Sequence, residues 1–282
     1  MVTVENVDFR YGKVPLFEKL SLAMAPGGIY GLLGRNGSGK TSLMKLFAGL
    51  RFPQAGKIEI MGHEPRSRSP EFLADMMFVP ESFFAPAVQI SHYVAQYAPF
   101  YPRFDPHFFA RALREFGLSS EQNLAKLSYG QQKKAILAFA LASGSRLTLL
   151  DEPTNGLDIP GKSEFRKLMV GAVQEDRVFV ISTHQLHDVE NLIDSVIILH
   201  GGHIVFNQRL CDIEQHLTFC RFAEEPAGDE ILYCEKSVGG WAAISTTTET
   251  AAGENPVDLE LLFKAVVEHR VSPFENIFKK SV

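Results

Sequence analysis

The 282-residue chain is poor in cysteine and has no long apolar run. Its three cysteines, Cys211, Cys220 and Cys234, are odd in number and share no metal-type spacing. They read as reduced thiols of an intracellular protein, not as a disulfide framework or a zinc cluster. No apolar stretch approaches the roughly 18 residues needed to cross a bilayer; the best runs, Val178 to Ile181 and Val196 to Leu199, are strand-sized. The opening Met1-Val2-Thr3-Val4-Glu5 lacks both the basic and the apolar part of a leader, so secretion is not expected. Positive charge is not in excess either. Lys and Arg number 28 against 33 Asp and Glu, a net −5, which argues against bulk electrostatic binding to nucleic acid or an anionic membrane. There is no repeat and no charge run long enough for a disordered arm. What remains is ordinary globular usage, 45% hydrophobic and 22% charged. At roughly 150 residues per domain, the length suits one large domain or a domain with an appendage.

The organisation is legible from periodicity. Val2 and Val4, then Val7, Phe9 and Tyr11, alternate on either side of a break near Asn6, where a bulge is expected. Leu20, Leu22 and Met24 alternate again. Ile29 to Leu33 is an apolar run ending in a glycine-rich loop, after which Leu43, Leu46, Phe47 and Leu50 form one helical stripe. Ile58 and Ile60 mark another strand. A strand-then-helix rhythm follows: strands at Leu147 to Leu150, Val178 to Ser182 and Val196 to Leu199, with helices carrying Phe165, Leu168, Met169 and Ala172 and, next, Leu186 to Ile193. That alternation predicts a parallel sheet covered on both faces. From about Cys211 the character changes. Strands are expected at Leu217 to Phe222, Ile231 to Tyr233 and Trp241 to Thr248, then a helix from Val257 to Val267: a small α+β tail.

The strongest local signal is Gly34-Arg35-Asn36-Gly37-Ser38-Gly39-Lys40-Thr41, followed by Ser42, which fits G-x-x-x-x-G-K-[ST] between a strand and a helix. Glycines let the backbone curl so that successive N–H groups face phosphate oxygens, and the helix start adds partial positive charge. Lys40 would reach the terminal phosphates and Thr41 a Mg²⁺ ion. Asp151 and Glu152 end a buried strand; Asp151 suits a metal ligand and Glu152 a base that polarises water. Taken alone, Asp-Glu-Pro-Thr is equally a strand-ending turn. Leu127-Ser128-Tyr129-Gly130-Gln131 leads into a helix, with a hydroxyl and N–H groups that suit an anion, though alone it is an ordinary N-cap. His184 ends a strand.

Together these segments resemble the nucleotide-binding subunit of an ATP-binding cassette (ABC) transporter, in family order from roughly Val2 to Arg209. The resemblance implies an α/β fold: a P-loop NTPase core with a mixed sheet, an antiparallel β subdomain and a short helical subdomain at about 82–127. The expected cassette covers 1–210, with an accessory extension at 211–282. It further implies an ATPase using ATP and Mg²⁺, with Gly34 to Thr41 as Walker A, Leu147 to Asp151 as Walker B, Glu152 as catalytic glutamate and His184 as switch histidine. Lys40 joins the last two as catalytic. Ser128, Gly130 and Gln131 then belong to the signature, Asp158 to the D-loop, and Tyr11 to the position of an adenine-stacking aromatic. In the family, nucleotide is sandwiched between two such subunits, and a separate multi-spanning membrane subunit carries the cargo. A peripheral place on the cytoplasmic side of the cell membrane follows.

One position departs from the family pattern. Glu81, in Phe78-Val79-Pro80-Glu81, stands where most relatives carry the Q-loop glutamine. A carboxylate only accepts hydrogen bonds; it still reaches Mg²⁺ through water, at the cost of added negative charge. Beyond it, eleven of 39 residues from Phe78 to Phe116 are Phe or Tyr, against 11% aromatic overall. They read as a compact aromatic core, an exposed groove for a membrane subunit's helix, or both. Tyr101 to Asp105 resembles small exporter-type cassettes, so export is the expected direction. Lys133 and Lys134 read as a solvated helix face. The pairs His184/His187 and His200/His203 imitate metal spacing without further ligands. The competing class is a soluble cassette ATPase acting as a nucleotide-gated regulator or on ribosomes or DNA. The single cassette, the lack of a heptad run and the charge balance disfavour the ribosome and DNA readings, so no nucleic-acid partner is expected, while Glu81 keeps the regulator open.

Overall fold

The strands at the centre of the largest sheet are buried along their whole length. A computed structural model describes residues 1–228, 230–246, 256–268, 274, 277 and 278. In chain order the elements are β1 (Val2–Tyr11), β2 (Val14–Met24), β3 (Ile29–Leu33), α1 (Lys40–Phe47), β4 (Ala55–Ile60), α2 (Pro70–Ala74), β5 (Met76–Val79), α3 (Ile90–Tyr97) and α4 (Pro106–Glu115). Then come α5 (Tyr129–Ala142), β6 (Leu147–Asp151), α6 (Ile159–Ala172), β7 (Val178–Thr183), β8 (Ser195–His200), β9 (His203–Arg209), α7 (Leu210–His216), β10 (Leu217–Phe222), β11 (Ile231–Ser237), β12 (Gly240–Thr246) and α8 (Leu259–Glu268).

The six-stranded sheet runs β5-β6-β7-β3-β8-β9, parallel except for the antiparallel edge strand β9. Period-2 alternation explains why its strands read as unbroken apolar runs. Val178 and Val180 of β7 join one core with α1 and the small β2-β1-β4 sheet; Phe179 and Ile181 join the other with α5 and α6. In β1 the break at Asn6 is a bulge: its φ is 47°, and pairing shifts from Val4 opposite Leu22 to Val7 opposite Leu20.

The segment between β5 and α5 is helical. Asp105 caps α4 by accepting from the N–H groups of His107 and Phe108 at 2.8 and 2.9 Å. Its aromatics divide between core and surface. Tyr93, Tyr101 and Phe104 surround Phe139 of α5 with ring centroids 5.3–5.7 Å away, while Phe84 and Phe100 stay 88% and 68% exposed.

One expectation is corrected. No helix spans Leu186 to Ile193; a single 3₁₀ turn at Leu186–Asp188 replaces it. Thr183 Oγ1 accepts from the Gln185 N–H and Lys162 holds the Asp188 carboxylate at 2.7 Å, so local and tertiary partners fix this stretch in a non-helical path. Its apolar residues Val189, Leu192 and Ile193 are buried all the same. Of the strand expected from Trp241 to Thr248, the part to Thr246 lies in β12, and Thr247 and Thr248 lie outside the described residues. At the C-terminal end β10-β12-β11 form an antiparallel sheet, on which α8 buries Leu259, Leu262, Ala265 and Val266. No helix among the described residues is long and apolar enough to cross a membrane.

Arg177, only 4% exposed, ties the helical layer to the sheet. It donates to the carbonyls of Leu141 at the end of α5, Ala172 at the end of α6 and Ser145 before β6, all within 3.0–3.1 Å. A cation there satisfies helix-end acceptors and complements two helix dipoles. Arg177→Ala strands all three acceptors, and urea denaturation should show a loss on the order of 3 kcal/mol.

Candidate active site

The register of the parallel sheet puts distant segments side by side at the carboxyl ends of its strands. Leu33 lies opposite Thr183, and Asp151 opposite Ser182. The glycine loop, the Asp151-Glu152 pair and His184 therefore meet at one edge, where open α/β sheets bind ligands.

A cavity of about 550 Å³ opens there, lined by Asn36 to Ser42, with Tyr11 and Leu16 on one side and Glu81, Glu152 and His184 on the other. The loop curls because Gly37 and Gly39 take φ of 79° and 107°. A Cβ on Gly39 would come within 2.7 Å of the Phe17 ring. Gly39 is also the N-cap of α1, which no side chain caps, so the helix start presents N–H groups to the cavity. Lys40 is buried, and its amine donates to the carbonyls of Gly34 at 2.8 Å and Arg35 at 3.4 Å. Burial lowers its pKa, opposed by the carboxylates of Glu152, Asp151 and Glu81. Gly34 and Arg35 also border a smaller adjoining space of about 250 Å³ with His184 and Phe263. Tyr11 is half exposed; its hydroxyl lies 3.2 Å from Ser42 Oγ.

Behind the loop, Asp151 is buried and accepts on both oxygens, from Thr41 Oγ1 at 2.8 Å and from Ser182 Oγ. Thr41, Asp151 and Glu81 thus supply oxygen donors alone, the set a small hard cation takes. Glu152 has φ of 46°, unusual for a residue with a side chain. Its Oε1 sits 2.8 Å from His184 Nδ1, while Oε2 is buried without a hydrogen-bond partner among the described residues. Ser38 Oγ is likewise buried and unpartnered. Two orphaned oxygens at a cationic loop are what a bound polar ligand with bridging water would satisfy.

Other expected residues stand apart from this cavity. Ser128 and Gln131 form a reciprocal capping box at the start of α5, at 3.3 and 3.1 Å, beside Gly130. Asp158 caps α6 and pairs with Lys134 at 3.3 Å. Sequence reasoning missed the contacts by which several residues organise the site. Asn155 donates to Glu81 Oε1 at 3.1 Å, and the Tyr129 hydroxyl donates to the Glu81 carbonyl at 2.6 Å. Lys133 and Lys134 are not a solvated face: Lys133 has no exposed surface, and Lys134 bridges Asp158 and Glu164. Packing of α5 against the strand ends buries Lys133, a contact invisible to local pattern.

The pattern that defines the ABC transporter family matches residues 17–155. An uncharacterized ABC transporter ATP-binding protein of Bacillus subtilis is 30% identical over 207 residues, 71% of this chain and 67% of that protein. The chain belongs to the ABC transporter family. The bacitracin transport ATP-binding protein of Enterococcus faecalis is 28% identical over 220 residues, 76% of this chain and 71% of the relative. The solved structure of an ATP-binding subunit of an ABC transporter overlays with a TM-score of 0.67 at 24% identity, covering 76% of this chain and 92% of that one. Matches to five of the curated relatives, these two among them, span 62 to 74% of their length. The chain is therefore an ABC ATP-binding subunit, with its nucleotide-type loop, acidic strand end and histidine gathered at one cavity.

Within this cassette, burial pushes the Lys133 ammonium from the ordinary 10.5 down to about 8, against the pull of Glu81, Glu152 and Asp151. Between those values the unfolded chain binds more protons than the folded one, so stability rises with pH in that window. Urea denaturation at about pH 7.5 and about pH 10 should show wild type gaining stability relative to Lys133→Met. An unchanged difference would contradict the burial of a charged amine.

Proposed function

We propose that this cassette hydrolyses ATP to drive export, acting as one half of a dimer attached to the cytoplasmic face of a membrane through a separate membrane-spanning subunit. The observation that carries the reading is Glu152, buried at the edge of the glycine-loop cavity with its carboxylate against His184.

The residues divide the work. N–H groups of Gly37 to Thr41 and the start of α1 hold the phosphates, and Lys40 exchanges its carbonyl partners for phosphate oxygens. Thr41, Asp151 and Glu81 are the oxygen donors for Mg²⁺, which when bound neutralises phosphate charge. Glu152 accepts the proton of the attacking water as general base, and His184 orients the base and the terminal phosphate. The half-exposed ring of Tyr11 offers a face for adenine. Ser128, Gly130 and Gln131 do not line this cavity; they stand at a helix start where Ser128 and Gln131 are exposed, suited to nucleotide held by a second cassette, with Asp158 close by. Nucleotide contacts made only in the closed pair favour closing; hydrolysis removes them.

Phe84 and Phe100, exposed in the helical segment that follows Glu81, suit a helix of the membrane subunit. A relative named for bacitracin transport supports a transport role, and the exporter-like Tyr101 to Asp105 stretch supports export.

Glu152→Gln should bind ATP and form nucleotide-dependent dimers in size-exclusion chromatography, yet hydrolyse about 10²–10⁴-fold more slowly. Turnover near that of wild type would sink the assignment. Lys40→Ala should instead lose nucleotide binding, as read by titration with a fluorescent ATP analogue.

A further inference from the structure

Lys133 is an expensive residue where it lies. It has no exposed surface and makes no ion pair among the described residues. Its Nζ instead donates to two main-chain carbonyls, Glu152 O at 2.6 Å and Asn155 O at 2.9 Å. An apolar side chain of similar volume would avoid the desolvation of a buried amine. What the amine supplies in return is confined to one turn.

That turn runs from Glu152 to Asn155 and is closed by the Asn155 N–H on the Glu152 carbonyl at 3.2 Å. Its first residue is in the left-handed region, φ 46°, immediately before Pro153, a combination the backbone resists. Such a conformation persists only where the surroundings over-determine it. Here both main-chain groups of Glu152 are pinned, from different elements. The N–H donates to Ser182 O and Ser182 Oγ of β7, both at 3.1 Å. The carbonyl is held by Lys133 of α5. With both main-chain groups held, the base of the side chain is fixed in place, and its Oε1 meets His184 Nδ1. Tyr129, four residues before Lys133 on the same helix face, steadies the other side. Its ring lies 6.0 Å from Lys133 Nζ and stacks on Phe83 at 5.7 Å, and its hydroxyl holds the Glu81 carbonyl.

We infer that Lys133 is a positioning residue for Glu152: its amine clamps the Glu152–Asn155 turn and so aims the carboxylate at His184 and the glycine loop. The inference rests on the reading of Glu152 as general base. Lys133 touches no substrate; it acts through the strained residue it holds.

Steady-state ATPase kinetics test this on the full chain, with wild type, Lys133→Met, Lys133→Arg, Glu152→Gln and the double variant Lys133→Met/Glu152→Gln. Misaimed by even an ångström, a base loses about 10- to 100-fold in rate. Lys133→Met should therefore lower kcat by about that factor and leave KM for ATP within about twofold, with partial rescue in Lys133→Arg. In the Glu152→Gln background the same change should cost under about twofold, because the group it aims is gone. A folded Lys133→Met with wild-type kcat, or losses that add in the double variant, overturns the inference while leaving Glu152 as base. If Glu152→Gln itself turns over like wild type, the functional reading fails first and this inference with it. Should Lys133→Met not fold, Lys133→Gln, too short to reach both carbonyls, is judged by the same criteria.

Discussion

Asp151 accepts a hydrogen bond on each carboxylate oxygen, from Thr41 at the start of α1 and from Ser182 at the end of β7. Much of the site depends on that doubly held carboxylate. It joins the helix that follows the glycine loop to the neighbouring strand, and so sets how far the phosphate-binding backbone stands from Glu152. The carboxylate is buried, where an unpaired charge would be costly, and the two hydroxyls with Lys40 nearby are what make it tolerable.

Around this tie the protein concentrates groups that cost stability. Lys40 and Lys133 are buried amines held mainly by carbonyls, Glu152 sits in a strained conformation, and Ser38 Oγ and Glu152 Oε2 are buried without partners. Clustered departures from ordinary packing mark sites where function overrides stability. The net charge of −5 says nothing of this. The local field comes from a helix start, from Lys40 and Lys133, and from the carboxylates of Glu81, Asp151 and Glu152.

Most of the fold was legible because the strands are short, apolar and bounded by glycine or charge, and because the helices carry one clear stripe. Leu186 to Ile193 misled for a physical reason. Its spacing buries the same side chains whether helical or not, and the decision fell to hydrogen bonds from Thr183 and Lys162. The glycine loop, Asp151, Glu152 and His184 were legible because their chemistry is local to each segment. Lys133, Tyr129, Ser182 and Asn155 were not. A lysine next to a lysine on a helix looks solvated until the surface that covers it is known.

The amino-acid sequence by itself determined which backbone can wrap phosphate, which strand ends in carboxylates, and where charge and apolar surface alternate, since these follow from conformational preference and periodicity within a few residues. Only the tertiary structure decided that β6 and β7 pair in the register that sets Asp151 against Ser182, that α5 buries Lys133 beneath the Glu152 turn, and that Ser128, Gly130 and Gln131 do not line the cavity. Those outcomes depend on contacts between segments far apart in the chain, where burial and hydrogen-bond satisfaction, not local propensity, select the arrangement.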